Sequence, residues 1–528
     1  MSESRSRTPV FQDYYTDLDY DQVMVQLPDI IKDAERKAGE VMEPTIYEKR
    51  EVMAAIKDFI RKKGRKVYGG TALNEVLIAA NPADAIYDEV KFSDIEFYSP
   101  SPVPDLVELC DMLYKKGYKH IVGREAQHEE TYSIFVNFQL YCDISYVPTR
   151  VYHGIKTIEI DGINYADPHF MFIDYLRVFN DPLNAAALKW EKYFPRVYKL
   201  LKNYPIEYYD KNLQIPKPSE EIQSYIYKIK NDFLNNKEVQ QSCLIGGFDA
   251  YNFYIRHAAK DRNVEQMART AYTSKRVDNM VVNVPYMELV SVNYMDMVER
   301  LYNFVKAMVP DTNEVSIEEY FPLFQFTNFS VSINYKGVPL AKIIEADGQC
   351  IPNIKTTAGR MYVSFQYLLM SMFINKFRAH LDKNREMYFN YGIAISNLVK
   401  ARNIYLTENN LPVINKTVFG EFRVACVGTT VSYNRMARLR ELEKQKKGKS
   451  FRFSYYPESF LAKSEEEQAK FDPSKHFFRN TSGNKITNPK NLLFKLDDKG
   501  NIRKDAEAEE AYSEDTETSE KSTDSVTD

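Results

Sequence analysis

Three acidic side chains in predicted strands have the residue types and spacing best suited to chemistry. Asp94 and Glu96 stand two apart in the predicted strand 91–98, so both carboxylates leave the same face of that strand. Asp143 lies at the centre of 132–147, a stretch rich in β-branched and aromatic residues that predicts a third strand or a hairpin. A solvated strand face is the ordinary alternative. An acid inside an apolar strand is costly, however, unless it is paired or bound to metal.

Three carboxylates on adjacent strands can hold two Mg²⁺ or Mn²⁺ ions about 3.5–4 Å apart. Such a pair suits in-line attack on phosphorus, because one ion lowers the pKa of the attacking hydroxyl and the other stabilises the leaving oxyanion. Oxygen ligands favour magnesium over zinc. The sequence has no His-x-x-x-His, His-Glu-x-x-His or Gly-x-Ser-x-Gly spacing, so zinc-hydrolase and serine-hydrolase chemistry lack a motif.

A glycine turn precedes these acids. Gly69, Gly70 and Thr71 join a predicted strand, 66–68, to a predicted helix, 71–80. Paired glycines let backbone N–H groups approach a phosphate at a helix N-terminus, and the threonine can add a hydroxyl donor. Most strand-to-helix turns bind nothing, and that alternative stays open for the turn taken alone.

Further elements must position these residues. Helices are predicted over 29–63 with a division at Pro44, over 105–116, over 168–201 with breaks near Pro182 and Pro195, and over 362–399. Lys189, Lys192 and Arg196 lie around Trp190 and can meet a triphosphate or RNA, with an ordinary amphipathic helix as the alternative. The proline-rich stretch 204–218 is a candidate domain boundary.

Composition excludes several classes of protein. With 528 residues, 44% apolar and 27% charged, the chain matches a globular protein large enough for two or three domains. No run approaches the roughly 18 apolar residues that span a bilayer, and residues 1–18 lack an apolar signal core, so no membrane partner is expected. Five scattered cysteines without Cys-x-x-Cys spacing predict neither a disulfide framework nor structural zinc, and favour a reducing compartment.

The formal net charge of −4 conceals an asymmetry. Residues 505–528 carry ten acidic side chains against one lysine, so the preceding 504 residues have a net charge of +5. Residues 435–452 carry eight basic side chains, and aromatic residues follow them, which suits contact with RNA phosphates and bases. A solvated helix with Glu/Lys pairs is the alternative for this stretch.

The motifs together resemble a known family. The run Tyr68-Gly-Gly-Thr-Ala-Leu-Asn74, followed by Asp94-Ile-Glu96 and Asp143-Ile-Ser-Tyr146, is similar to the poly(A) polymerase catalytic subunits of poxviruses and giant DNA viruses. These belong to the polymerase-β-like nucleotidyltransferases. The resemblance implies an α+β fold, with a mixed sheet and flanking helices in the catalytic domain and a second, degenerate nucleotidyltransferase-like domain.

The resemblance also implies a set of site residues. Asp94, Glu96 and Asp143 would be the catalytic residues and would bind two Mg²⁺ or Mn²⁺ ions. The nucleotide, with ATP as substrate, would be held by a second set: Gly69, Gly70, Thr71, Asn74, Lys189 and Lys192. The partner would be an RNA 3′ end.

Domain limits follow from composition and from an internal echo. We expect an N-terminal extension (1–44), a catalytic domain (45–205), a degenerate or RNA-holding domain (206–434), a basic-aromatic region (435–504) and a disordered acidic tail (505–528). The run Cys243-Leu-Ile-Gly246-Gly247 echoes the first glycine turn, which duplication would explain, with chance as the alternative. Near it Glu288 lacks an acidic partner two residues on, so no second active centre is expected.

The sequence thus predicts a template-independent enzyme that adds AMP from ATP to RNA 3′ ends. Two alternatives stay open: a relative that uses another nucleotide or acceptor, such as an oligoadenylate synthetase or terminal uridylyltransferase, and a non-catalytic RNA-binding scaffold. By resemblance we favour a homodimer over dependence on a separate processivity subunit. A viral origin would imply the host-cell cytoplasm or the virion.

Overall fold

The computed structural model describes residues 14–42, 44–87, 93–260, 280–446, 453–497 and 500–502. Within them sixteen strands form two eight-stranded mixed sheets with helices packed around both, which confirms the expected α+β class. The acidic tail, the start of the strand predicted over 91–98 and the end of the basic stretch 435–452 lie outside the described residues. None of the described helices is both long and apolar enough to cross a membrane.

The first sheet holds the predicted acids, and its strand order is β16-β3-β4-β5-β2-β1-β7-β6. The predicted stretch 132–147 is a hairpin, because Asn137 and Phe138 adopt positive φ and turn β4 into β5. The strands are β1 (Lys66–Tyr68), β2 (Ile95–Ser99), β3 (Val122–Glu125), β4 (Thr131–Val136), β5 (Gln139–Tyr146), β6 (Thr157–Ile160), β7 (Ile163–Ala166) and β16 (Ser454–Tyr455).

The second sheet repeats the first. Seven of its strands, in the order β10-β11-β12-β9-β8-β14-β13, match β3-β4-β5-β2-β1-β7-β6 strand for strand, with the same parallel and antiparallel pairings. The eighth strand, β15, extends the sheet beyond β13. Shared topology on this scale supports duplication as the source of the sequence echo. The strands are β8 (Cys243–Ile245), β9 (Met287–Ser291), β10 (Val315–Tyr320), β11 (Ser330–Tyr335), β12 (Val338–Glu345), β13 (Ile351–Lys355), β14 (Met361–Val363) and β15 (Cys426–Val427).

Seventeen helices are labelled in chain order among the described residues. They are α1 (Asp17–Val41), α2 (Ile46–Lys63), α3 (Gly69–Ala80), α4 (Pro102–Lys115), α5 (Thr149–Gly154), α6 (Pro168–Phe179), α7 (Pro182–Ala185), α8 (Glu191–Asn203), α9 (Glu220–Asn231), α10 (Val239–Ser242), α11 (Gly247–Lys260), α12 (Tyr294–Met308), α13 (Phe365–Leu381), α14 (Arg385–Glu408), α15 (Tyr433–Lys446), α16 (Pro457–Leu461) and α17 (Glu465–Ala469). A π-helical turn, Ala186–Trp190, precedes α8.

Most predicted helices form where apolar periodicity places them, with two corrections. The break predicted at Pro195 is wrong, because this proline is the fifth residue of α8 and follows a π-helical turn where regular i→i−4 bonding is already interrupted. The stretch predicted over 362–399 begins as strand β14 and then forms two helices. Lys383, with φ of 55°, separates them.

The cysteine prediction is also wrong in one respect. Cys350 and Cys426 form a disulfide that joins the start of β13 to β15 across 76 residues. The antiparallel pairing of these strands brings the two thiols together, and no local spacing in the sequence signals that pairing. The other cysteines, Cys110, Cys142 and Cys243, are buried free thiols.

Candidate active site

The first sheet brings the three predicted acids to one face. Strands β2 and β5 are parallel neighbours, and their register sets Glu96 directly opposite Asp143. Asp94 stands two residues before Glu96, so its side chain leaves the same face. Ile95 and Phe97 point the other way and are fully buried, which fixes this register because a one-residue slip would put the carboxylates into the core.

These carboxylates repel one another in a partly dry environment. Burial raises the pKa of Glu96 to about 7; the N–H of Gly70, 3.0 Å from Glu96 Oε2, opposes the shift, and Asp94 and Asp143 add to it. Burial likewise raises the pKa of Asp143. The Ser133 hydroxyl, 2.6 Å from Asp143 Oδ1, opposes that rise. Divalent cations bound by these carboxylates would relieve the repulsion between them.

The donor set fits magnesium or manganese. All three side chains offer carboxylate oxygens, the ligands that hard divalent cations prefer. In the part of the chain that the structure describes, no three His, Cys, Asp or Glu side chains are already arranged to hold a metal ion. Glu96 and Asp143 instead accept hydrogen bonds from Gly70 and Ser133. Asp94, Glu96 and Asp143 are therefore the residues that could hold the ions. Glu96 and Asp143 would then give up their hydrogen bonds from Gly70 and Ser133.

The glycine turn lies against the acids. Gly69 has φ of 71°, and a Cβ added there would overlap the Glu96 carboxylate, so any other residue would strain the backbone and displace that side chain. Gly70 begins the first turn of α3 with its N–H on the Glu96 carboxylate. Thr71 donates its hydroxyl to the backbone carbonyl of Asp94 at 2.9 Å, so it braces the acid strand.

Asn74 organises a loop beside this turn. Its Oδ1 accepts from the backbone N–H groups of Ile86 and Tyr87 at 2.9 and 3.1 Å. This holds Tyr87 so that its hydroxyl lies 2.2 Å from where a Cβ on Gly70 would stand. The contacts of Asn74 thus shape the turn through Tyr87, and its direct contact with a nucleotide stays a prediction.

Helix α8 brings a cation to the turn. Arg196 Nη2 donates to the Tyr87 hydroxyl at 3.2 Å, and Nη1 is 3.4 Å from the same added Cβ on Gly70. Lys189 Nζ lies 5.2 Å from the ring centroid of Tyr433, and Lys192 is exposed. The sequence predicted the two lysines as nucleotide ligands, whereas the residue that the fold places beside the glycines is Arg196.

Asp174 is a fourth acid that sequence reasoning left outside the predicted site. It lies on α6, where Arg177 Nη1 binds its Oδ1 at 2.8 Å. Its carboxylate contributes to the raised pKa of Glu96, so it lies within electrostatic reach of the cluster. The i, i+3 Asp–Arg spacing on a predicted helix is a signal in the sequence, but only the packing of α6 on the first sheet reveals its position.

The second sheet carries the same scaffold without the acids. Gly247 has φ of 55°, and an added Cβ there would stand 2.7 Å from Glu288 Cβ, so Glu288 is the counterpart of Glu96. Register sets Lys342 opposite Glu288, in the place of Asp143, and Tyr286 takes the place of Asp94. Burial, with Arg378 as a smaller cause, lowers the pKa of Lys342 to about 7, while Glu288 opposes the shift. The described residues of the second sheet thus place a base where the first sheet has its third acid.

Comparisons with known proteins agree with this geometry. The family model described as poly(A) polymerase catalytic subunit matches residues 54–185, and one described as a putative poly(A) polymerase catalytic subunit, C-terminal, matches residues 220–496. The putative poly(A) polymerase catalytic subunit of Acanthamoeba polyphaga mimivirus is 60% identical, over 98% of this chain and 91% of its own length. The chain belongs to the poly(A) polymerase catalytic subunit family.

A solved structure and a more distant relative are also similar to this chain. The crystal structure of the Megavirus polyadenylate synthase is 62% identical, covers 96% of this chain and 99% of its own, and has a TM-score of 0.90. The putative poly(A) polymerase catalytic subunit of an African swine fever virus isolate is 29% identical over 30% of this chain and 36% of its own length. Membership confirms the expected family and the nucleotidyltransferase class of enzyme.

Proposed function

We propose that this poly(A) polymerase catalytic subunit adds AMP from ATP to RNA 3′ ends, without a template, and releases pyrophosphate. The observation that carries the proposal is the convergence of Asp94, Glu96 and Asp143 on one sheet face behind the glycine turn. A scaffold that only bound RNA would have no need of a repelling carboxylate cluster, because such a cluster costs stability.

Each group at the site has a task in this reaction. Asp94, Glu96 and Asp143 would hold two Mg²⁺ or Mn²⁺ ions, which supply activation of the attacking hydroxyl and neutralisation of the leaving oxyanion. The Gly70 N–H and the Arg196 guanidinium bind the triphosphate and orient it. Glu96 has to lose its proton and release Gly70 before both can serve. Thr71 keeps Asp94 in place through the Asp94 carbonyl.

Extension of RNA by the purified full-length chain tests the proposal. With Mg²⁺ and each nucleotide separately, we expect a tail from ATP, and little from GTP, CTP or UTP. Equal tails from UTP would favour the related-transferase alternative. If none of the four nucleotides is turned over in the presence of metal, the proposal is refuted and the non-catalytic RNA-binding scaffold remains.

Self-association is proposed through the first helix. Helix α1 has no buried residue over its 25 positions, and it exposes Leu18, Val25, Ile30 and Ile31. Exposed apolar side chains on one helix are typical of a surface that pairs with another protein. A second copy of this chain is the proposed occupant, and the compartment proposed is the host-cell cytoplasm or the virion.

Light scattering on the full chain tests the dimer. We expect twice the monomer mass, and monomers after Val25→Glu and Ile30→Glu together. A monomeric wild type whose tail length increases with an added viral subunit would favour the separate processivity subunit instead.

A further inference from the structure

Helix α15, at the start of the basic region, binds the end of β3 and the loop that follows it. Lys444 Nζ binds Glu125 at 2.7 Å, and Arg440 binds Glu129 at 3.1 Å. Gln127 adds a hydrogen bond to Asn434 at 2.8 Å. Two of the five basic side chains of this helix are therefore used in ion pairs with the catalytic half of the chain. These contacts fix the place of the first residue of the helix, Tyr433.

The ring of Tyr433 is oriented but not covered. Its hydroxyl donates to Asp181 Oδ2 at 2.7 Å, which fixes the plane of the ring. The residue is 37% exposed, Lys189 Nζ stands 5.2 Å from the ring centroid, and the His128 ring lies edge-on at 6.4 Å. Lysine over an aromatic face is held weakly at an exposed site, so a flat apolar ligand can displace it.

This tyrosine belongs to the surroundings of the acid cluster. Arg177, which binds Asp174 at 2.8 Å, interacts electrostatically with both Tyr433 and His128. Lys189 and Arg440 also interact with His128. An exposed aromatic ring therefore lies among cations, of which Arg177 also binds Asp174, the acid that acts on Glu96. The tyrosine hydroxyl binds Asp181.

We propose that Tyr433 is a stacking platform for a nucleobase at the catalytic cleft, with Lys189 and Arg177 contacting the adjoining phosphate. Aromatic rings flanked by cations are the recurring means of holding an unpaired nucleotide. The inference rests on the proposed function, since it deepens the description of that site. The stacked base belongs either to the RNA 3′ end or to ATP, because a base from either source would stack on the tyrosine ring in the same way.

Three substitutions of Tyr433 separate stacking from a structural role. Tyr433→Phe keeps the ring and loses the bond to Asp181, whereas Tyr433→Ala and Tyr433→Leu lose the aromatic face. Loss of one stacked base weakens binding roughly 5- to 100-fold. We expect a KM raised about tenfold in the alanine and leucine variants and near wild type in the phenylalanine variant, with kcat within about threefold. Tyr456→Ala, at a 50% exposed tyrosine elsewhere in the same region, is the matched control.

Titrating RNA and ATP separately identifies the base. A raised KM for RNA alone assigns the platform to the 3′ end, and a raised KM for ATP alone assigns it to the incoming nucleotide. Unchanged values for both in the alanine and leucine variants overturn the inference, as does a phenylalanine variant as impaired as the alanine one. Wild-type protein that fails to extend RNA refutes the proposed function instead.

Discussion

Glu96 and Glu288 occupy the same position in two sheets of the same topology, but their neighbours across the adjacent strand have opposite charge. Glu96 faces Asp143, and Glu288 faces Lys342. A cluster of acids can form in the first sheet only, because in the second the counterpart of the third acid is a base. The two sheets therefore differ at two of the three positions of the cluster, because Tyr286 stands in place of Asp94 and Lys342 in place of Asp143.

Asp143→Asn is expected to reduce AMP incorporation more than about 100-fold, because a divalent cation supplies several kcal/mol of charge stabilisation that the amide cannot recruit. RNA binding, measured by fluorescence anisotropy, should stay within about threefold of wild type, since phosphate contacts carry most of it. Glu288→Gln is the matched control and should retain the wild-type rate. Incorporation by the Asp143 variant at near the wild-type rate would contradict the mechanism.

Glu96→Gln is expected to stabilise the metal-free protein at high pH. The pKa of Glu96 is raised from 4.5 to about 7, so its contribution to wild-type stability is present below pH 4.5 and is lost as the pH rises through 7. Relative to wild type, the variant should gain about 2 kcal/mol between pH 5 and pH 8, from urea unfolding in a chelator. Excess Mg²⁺ should narrow the gap at pH 8 because it binds the ionised wild type. A pH-independent difference would exclude the raised pKa.

Gly69→Ala is expected to cost more stability than Gly337→Ala. The two glycines have nearly equal φ, 71° and 72°, but an added Cβ meets nothing within 4 Å at Gly337 and the Glu96 carboxylate at Gly69. The control should lose about 1 kcal/mol from backbone strain, and the Gly69 variant about 3 kcal/mol or more together with its activity. Equal losses in chemical denaturation would show that the Glu96 carboxylate moves aside freely.

Arg196→Ala is expected to raise the KM for ATP roughly 10- to 100-fold, the value of a charge-assisted hydrogen bond to phosphate. Lys192→Ala, on an exposed position of the same helix, should change it less than about twofold. Initial rates at saturating RNA measure both. A larger effect at Lys192 than at Arg196 would restore the assignment made from the sequence.

Reducing the Cys350–Cys426 disulfide is expected to lower the free energy of unfolding by about 4 kcal/mol, from the loop entropy of a 76-residue separation. Peptide mapping without reductant should recover the cross-linked pair. A Cys350→Ala and Cys426→Ala double variant should no longer respond to dithiothreitol. Wild-type stability that is equal with and without reductant would contradict a structural role for the bond.

Features carried by local patterns could be predicted from the sequence. The strands predicted over 91–98 and 132–147 hold Glu96 and Asp143, but β2 begins at Ile95, so Asp94 lies just before it. The paired glycines after Tyr68 placed the turn. The apolar periodicity of Val52, Ile56 and Phe59 predicted helix α2, and all three are buried. In each case the signal lies within a few residues of the feature.

Features made by packing between distant segments could not be predicted. Asp174 and Arg196 reach the site because α6 and α8 pack against the first sheet, and no spacing in the sequence measures that approach. The disulfide depends on β13 and β15 pairing across 76 residues. The basic stretch from Arg435 suggested an RNA surface, but Arg440 and Lys444 are bound to Glu129 and Glu125. Charge counts along the chain cannot anticipate such partners.

In the second sheet the basic group beside Glu288 is Lys342, a residue of the neighbouring strand β12. In the proposed mechanism the first sheet takes its neutralising charge from divalent ions in solution, whereas the second sheet has a lysine in its own structure. In the proposed mechanism, removal of the divalent ions by a chelator would therefore affect the acids of the first sheet and leave the Glu288–Lys342 pairing of the second sheet unchanged.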